Sequence, residues 1–384
     1  MNKKSSSLVL FSITIFLVSL NLRPIIAVIG PIFNFLQEET KLSSAELGML
    51  TTLPVIMMGV ASLLGTRFIK YIGEVKCIAL GLLLIISTSI IRYMGHNSTS
   101  LLFSAILGGA GIGVIQSTMP SYIKRYFPNN SNTLMSLFTT GIMAGAAIMA
   151  ALASPLLTRY GLSVTLGSAL LPAVIGIISW LSCIKKENNQ QLKIITSAQP
   201  PIKKWYLMIF FGIGTGTYTL VLAWLPPYYV ENGWTADQSG YILGTLTLTE
   251  VISGFIISSV IYKINDKRLL LFSVLAMILC GLLYFIMLGA NSAITPVILL
   301  GLGIGALFPL SLIVALECAN SPQQAGSLLS FVQGGGYLIA ASMPAVAGLI
   351  RDSFTSLQYA WFVMAIGIVV LMSMTLKLKN KSDG

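Results

Sequence analysis

Charge is scarce in this chain of 384 residues: Asp, Glu, Lys and Arg together make up 9% of it, against about 25% in a soluble domain. That shortage, with 55% hydrophobic residues and a mean hydropathy of +0.86, excludes an ordinary soluble fold. Histidine is nearly absent. His96 stands alone in a polar turn, so no His pair, His/Cys metal cluster or Ser/His/Asp set can be assembled. The four cysteines, Cys77, Cys183, Cys280 and Cys318, lie in or beside apolar runs without paired spacing, and read as packing residues. No Gly-Lys-Ser phosphate loop or other nucleotide motif is present, which disfavours a primary pump. We expect no enzyme and no metal site.

What the chain has is long apolar runs. Twelve can be marked, at 8–35, 47–69, 75–93, 101–127, 133–157, 162–184, 205–229, 239–262, 269–288, 293–316, 325–349 and 357–376. A run of about twenty apolar residues spans a bilayer as a helix, so the fold expected is all-α and polytopic with twelve transmembrane helices. The start, Lys3-Lys4 before Leu8, looks like a leader, but no small-residue cleavage site follows and it reads as span one.

The net charge of +11 lies in short polar segments rather than on a basic stripe, so nucleic acid is not the expected partner. Counted on alternate sides, 18 Lys and Arg fall with the N-terminus and four (Lys41, Arg92, Arg159, Arg351) on the other side. The positive-inside rule then places both termini in the cytoplasm of a cell (inner) membrane.

Residues 185–204 form the one extended polar segment and read as a linker between six-helix halves at 1–184 and 205–384. The halves resemble each other: Ala110-Gly111-Ile112-Gly113 recurs as Leu302-Gly303-Ile304-Gly305, 192 residues later, and Gly48 maps onto Gly240 by the same shift. Two pseudo-symmetric bundles with a site between them at mid-membrane are the plan of one transporter class.

Among the charged residues, only Arg23 and Glu250 fall well inside a span. Arg23 sits roughly 22 Å into a layer of about 30 Å. An arginine there costs about 2.5–3.5 kcal/mol on insertion scales and needs an anion, carbonyls or a wet cavity. Its fork of donors suits a small anion, and Pro24 frees nearby backbone; satisfaction by carbonyls or a glutamine is the structural alternative. Glu250, halfway along span eight with Thr247 and Gly254 on its face, pairs with Arg23, exchanges a proton, or bonds a neighbouring helix as the protonated acid. Gly109, Gly113, Gln116 and Pro120 share one face of span four; the glycines read as a packing seam, and Gln116 as either a ligand contact or an interhelical bond. Gln333 and Tyr337 share a face of span eleven with Ser330 and offer the same choice. In span seven Tyr218 and Trp224 lie deep enough to wall a small site, whereas Tyr228 and Tyr229 read as an interfacial belt.

Several segments resemble the major facilitator superfamily, and within it the cyanate-permease (CynX/NimT) group. They are Asn21-Leu22-Arg23-Pro24 with Gly30-Pro31, residues 53–59, residues 107–124, Tyr218 with Ala223-Trp224-Leu225-Pro226, residues 301–309, and Gln333-Gly334 with Tyr337. Residues 65–74 depart from the superfamily's loop between spans two and three by lacking its Asp. The resemblance implies a single-chain secondary transporter that moves a small substrate by alternating access, without a cofactor. The combined expectation is a monomer carrying a small anionic or polar solute such as cyanate. Arg23, Gln116, Tyr218, Trp224, Gln333 and Tyr337 form its pocket and Glu250 is the proton-coupling candidate. An exporter of small drugs such as nitroimidazoles and a non-transporting membrane receptor are the alternatives.

Overall fold

The computed structural model describes residues 3–127, 130–183, 204–261, 264, 266–291, 294–318, 322–354 and 357–377. The expected linker thus lies almost entirely outside the described residues. Helices occupy nearly all the rest: α1 (Lys3–Ser19), α2 (Pro24–Ala27), α3 (Phe33–Thr40), α4 (Ser44–Ile72), α5 (Glu74–Met94), α6 (Ser98–Tyr126), α7 (Ser131–Gly167) and α8 (Leu170–Cys183) in the first half. The second half holds α9 (Lys204–Glu231), α10 (Ala236–Val260), α11 (Lys267–Leu288), α12 (Ile294–Glu317), α13 (Pro322–Phe354) and α14 (Gln358–Leu376). Among the described residues there is no strand.

Ten of these helical stretches are long and apolar enough to cross a membrane. Span six is split, because Gly161 at φ 79° breaks α7 after span five and the following turn is finished by α8. Only glycine adopts that backbone without strain. Span eleven is α13, longer than a bilayer requires and carrying a polar face. With α1 and α2 as the two pieces of span one, twelve spans result.

Helix starts follow local chemistry. Ser43 and Glu46 form a reciprocal capping box at α4, and Thr235 and Gln238 do the same at α10, 192 residues after Ser43.

The packing repeats between halves. In the first half α4 and α5 pack on α6, α1 on α7, and α5 on α8. In the second, α10 and α11 pack on α12, α9 on α13, and α11 on α14, the same partners moved six spans along. The halves meet along α4 with α13 and α7 with α10. The glycine repeat sets the closest approaches. A methyl on Gly109 would meet the Pro54 carbonyl oxygen at 2.5 Å, and one on Gly301 the Leu246 carbonyl oxygen at 2.5 Å. Gly113 likewise faces the backbone of Met58 and Gly305 that of Glu250. Small residues let helices associate closely where lipid supplies no hydrophobic drive, so these glycines are a packing seam.

Two readings are corrected. Arg92, counted as a flank residue, is fully buried: its Nε donates to Ser104 Oγ at 2.9 Å and its Nη1 to the Ile25 carbonyl at 2.6 Å. Glu74 is fully buried as well, accepting from Ser121 at 2.5 Å and facing Arg125 at 3.6 Å. Tyr228 and Tyr229 form no belt. They pack edge-on in a buried aromatic cluster with Phe285, Trp361 and Trp234, because α9 is enclosed by its neighbours over nearly all its length.

Candidate functional site

Span one breaks where Arg23 stands. After Ser19 the backbone tightens: Asn21 N bonds Val18 O and Leu22 N bonds Ser19 O, three residues back rather than four. Pro24 cannot donate a hydrogen bond and starts α2, with Arg23 as the residue before it at φ −126°. The break holds Arg23 at the centre of the molecule, 3% exposed and facing the second half.

Five of the expected residues converge there. The Arg23 guanidinium lies over the Tyr218 ring at 5.2 Å, within cation–π range, and its Nη1 reaches the Met58 sulfur at 3.4 Å. The Tyr337 hydroxyl lies beside the Arg23 guanidinium and the Gln116 amide, and Tyr218 lies within electrostatic reach of Arg23, Glu250 and Tyr337. Arg23 and Gln116 come from the first half; Tyr218, Glu250 and Tyr337 come from α9, α10 and α13 of the second.

Several polar atoms of this group are buried without a hydrogen bond. Arg23 Nε, the Tyr218 hydroxyl and both Glu250 carboxyl oxygens have no hydrogen-bond partner among the described residues. Buried polar atoms without close partners cost free energy, so a cluster of them drawn from several helices suits a site that takes a polar ligand. Glu250 is fully buried, and it senses the charge of Arg23 without forming a hydrogen bond to it.

Beside Arg23 lies a partly open cavity of about 30 Å³ between α7, α9 and α12. Its lining includes Thr139 and Met143 from the start of α7, Thr215 and Tyr218 from α9, and Phe308 and Ser311 from the end of α12. Thr139, Met143, Thr215, Phe308 and Ser311 lie in the terminus-side halves of their spans, and Tyr218 stands at the middle of α9. On the opposite face the halves are sealed. Ser154 Oγ donates to Asp237, bridging α7 and α10. Arg351, ion-paired with Glu231 at 2.6 Å, lays its guanidinium 5.9 Å from the Phe33 ring of the other half and 5.5 Å from Trp224. Nearby, a methyl added to Gly30 would lie 3.1 Å from Pro226 Cγ and one added to Gly240 3.2 Å from the Ala150 carbonyl oxygen, so both glycines permit close approach of the halves.

Two expected residues are not brought to the central group. The Trp224 indole donates to the Pro344 carbonyl at 2.9 Å and stands in the far-side seal beside Phe33. Gln333 is buried next to Gly334, where α13 touches Gly59 of α4. Met58, Thr139, Thr215 and Ser311 were not singled out from sequence. The Thr139-Thr140 pair inside an apolar run was a usable signal; Met58 carried none beyond its place before Gly59.

The model for the Major Facilitator Superfamily matches residues 9–341. The cyanate transport protein CynX of Escherichia coli is 34% identical over 366 residues, covering 94% of this chain and 95% of that protein. The 2-nitroimidazole transporter of Escherichia coli is 28% identical, covering 93% of this chain and 91% of its own. Among solved structures, a D-xylose–proton symporter superposes with a TM-score of 0.76 over 97% of this chain and 98% of that one, at 12% identity, which is a likeness of fold. With its twelve spans in two repeated halves and a family match over most of its length, this multi-pass membrane protein belongs to the Major Facilitator Superfamily.

Proposed function

We propose that the protein carries a small monovalent anion such as cyanate by alternating access, with Arg23 holding the anion and Glu250 exchanging the coupled proton. The observation that carries this reading is the convergence of buried polar groups from both halves on one point: Arg23 and Gln116 with Tyr218, Glu250 and Tyr337. A ligand there bridges the halves, so its binding energy acts on their relative position.

The charges suggest the coupling. Arg23 is balanced either by the Glu250 carboxylate or by a bound anion. An anion that arrives as Glu250 takes up a proton leaves the net charge of the site unchanged. Moving a lone anion against a membrane potential costs about 2.3 kcal/mol per 100 mV, a cost that one accompanying proton removes. Gln116, Tyr218 and Tyr337 supply donors for the far side of the anion; Trp224 and Gln333 act at the seams. The halves are residues 1–184 and 205–384, joined by 185–204, and the protein works as a monomer in the inner membrane. The distribution of basic residues supports cytoplasmic termini, and in that orientation the cavity lies toward the inner side. The 34% identity to a protein named for cyanate transport supports the substrate class.

The test is uptake of labelled cyanate into proteoliposomes with and without an imposed pH gradient, above the pH at which the uncharged acid crosses lipid. Saturable uptake that rises with an inward proton gradient is expected. No saturable uptake under either condition overturns the anion assignment.

One observation favours a second reading: beyond the central group the cavity wall is largely apolar, with Ile142, Met143, Leu307 and Phe308. Such a wall suits a flat neutral ring, and one relative is named a 2-nitroimidazole transporter. Resistance to 2-nitroimidazole on expression, independent of Arg23, is the outcome that selects export.

A further inference from the structure

Among the described residues two arginines are nearly or fully buried, Arg23 and Arg92, and both serve the same break in span one. Just past the end of the four-residue α2 the Ile29 amide bonds Ile26 O at 3.3 Å, three residues back, and so does not serve the Ile25 carbonyl as a helical donor. Arg92 of α5 fills that place at 2.6 Å, and its own position is fixed by Ser104 of α6. Gly108, one turn along α6, lets that helix approach Ile25 and Thr88 so closely that an added methyl would collide with the Ile25 side chain. On the other side of Arg23 the Asn21 amide donates to the Leu17 carbonyl at 2.8 Å and to Pro172 of α8 at 3.2 Å. Asn21 is fully buried. The backbone that carries Arg23 is therefore pinned two residues before and two residues after it, to two different helices of its own half.

We propose that Asn21 and Arg92 are positioning residues: they clamp the break so that Arg23 points at the cleft between the halves rather than swinging with its unwound backbone. This extends the reading of Arg23 as the anion holder and rests on it for its transport consequence. The physical reason is that an unwound segment has no ladder of its own to hold direction, so side chains on rigid neighbours must supply it.

The test reads the position of residue 23 without relying on any substrate. In a chain with Cys77, Cys183, Cys280 and Cys318 changed to serine, Arg23→Cys or, on the opposite cavity wall, Thr215→Cys is modified with 2-aminoethyl methanethiosulfonate. Each is measured with and without Arg92→Gln. Because a misplacement of about 1 Å changes rates by up to on the order of 10²-fold, we expect the rate at residue 23 to shift about tenfold while that at residue 215 holds. Arg92→Lys, which retains a donor for Ile25, returns the rate toward the starting value. A rate at residue 23 that does not change, or that moves together with residue 215, overturns the proposal. Where Arg92→Gln does not accumulate in the membrane, Asn21→Ala carries the same readout. With Arg23 in place, Arg92→Gln raises the KM for cyanate about tenfold and keeps the maximal rate per folded protein. Absence of uptake by the unaltered chain strikes the anion reading, and the cysteine rates still decide the clamp.

Discussion

Removing Ser154 and Arg351 from the far-side seal (Ser154→Ala with Arg351→Gln) shifts the protein toward the conformation open on that side, by an amount the contacts allow one to work out. Only contacts that break when the halves part count toward the shift. The Glu231 ion pair and the Trp224 contact of Arg351 lie within the second half and persist in both conformations. What is lost between halves is the Ser154 to Asp237 hydrogen bond, about 1 kcal/mol because Asp237 is exposed, and the Arg351 to Phe33 contact, about 0.5–1 kcal/mol. Together these give about 1.5–2 kcal/mol, or roughly a ten- to thirtyfold change in the population ratio. The assay places Ala150→Cys, fully buried beneath the seal, in the chain without native cysteines. Its maleimide labelling rate is then measured in detergent, where both faces are reachable. The rate should rise in proportion to the population. No rise, or an equal rise for Ser311→Cys on the terminus side, refutes the reasoning.

Three further outcomes follow from particular contacts. Gly109→Ala places a methyl 2.5 Å from the Pro54 carbonyl oxygen and should cost about 1–3 kcal/mol, whereas Gly48→Ala meets nothing within 4 Å; equal melting temperatures in detergent would contradict the seam. Glu250→Gln should abolish the response of uptake to a pH gradient while substrate exchange continues, and an unchanged response returns Glu250 to a packing role. Trp224→Phe should lower stability by about 0.5–1.5 kcal/mol through the lost indole hydrogen bond to the Pro344 carbonyl and leave the KM for cyanate within about twofold. A raised KM would put the indole in the pocket.

Hydropathy made the spans legible, the 192-residue shift made the duplication legible, and Pro24 marked the break that presents Arg23. These are properties of position along a helix. Partners across helices are not. Arg92 stands two residues before the end of α5 and reads as a flanking charge, yet a carbonyl released by a break 67 residues earlier draws it inside. Trp224 and Tyr218 are less than two turns apart on α9, but only Tyr218 faces Arg23 while Trp224 reaches α13 at Pro344. The aromatic pair Tyr228-Tyr229 has the composition of an interface belt, and only the enclosure of α9 by its neighbours turns it inward.

The central claim is that Arg23 holds the transported anion, and its most direct measurement is saturable uptake of labelled cyanate by the unaltered chain and by Arg23→Ala, reconstituted at equal amounts of folded protein. The account predicts saturable uptake by the first and none by the second, with both chains monodisperse and inserted. Equal uptake by the two would contradict it.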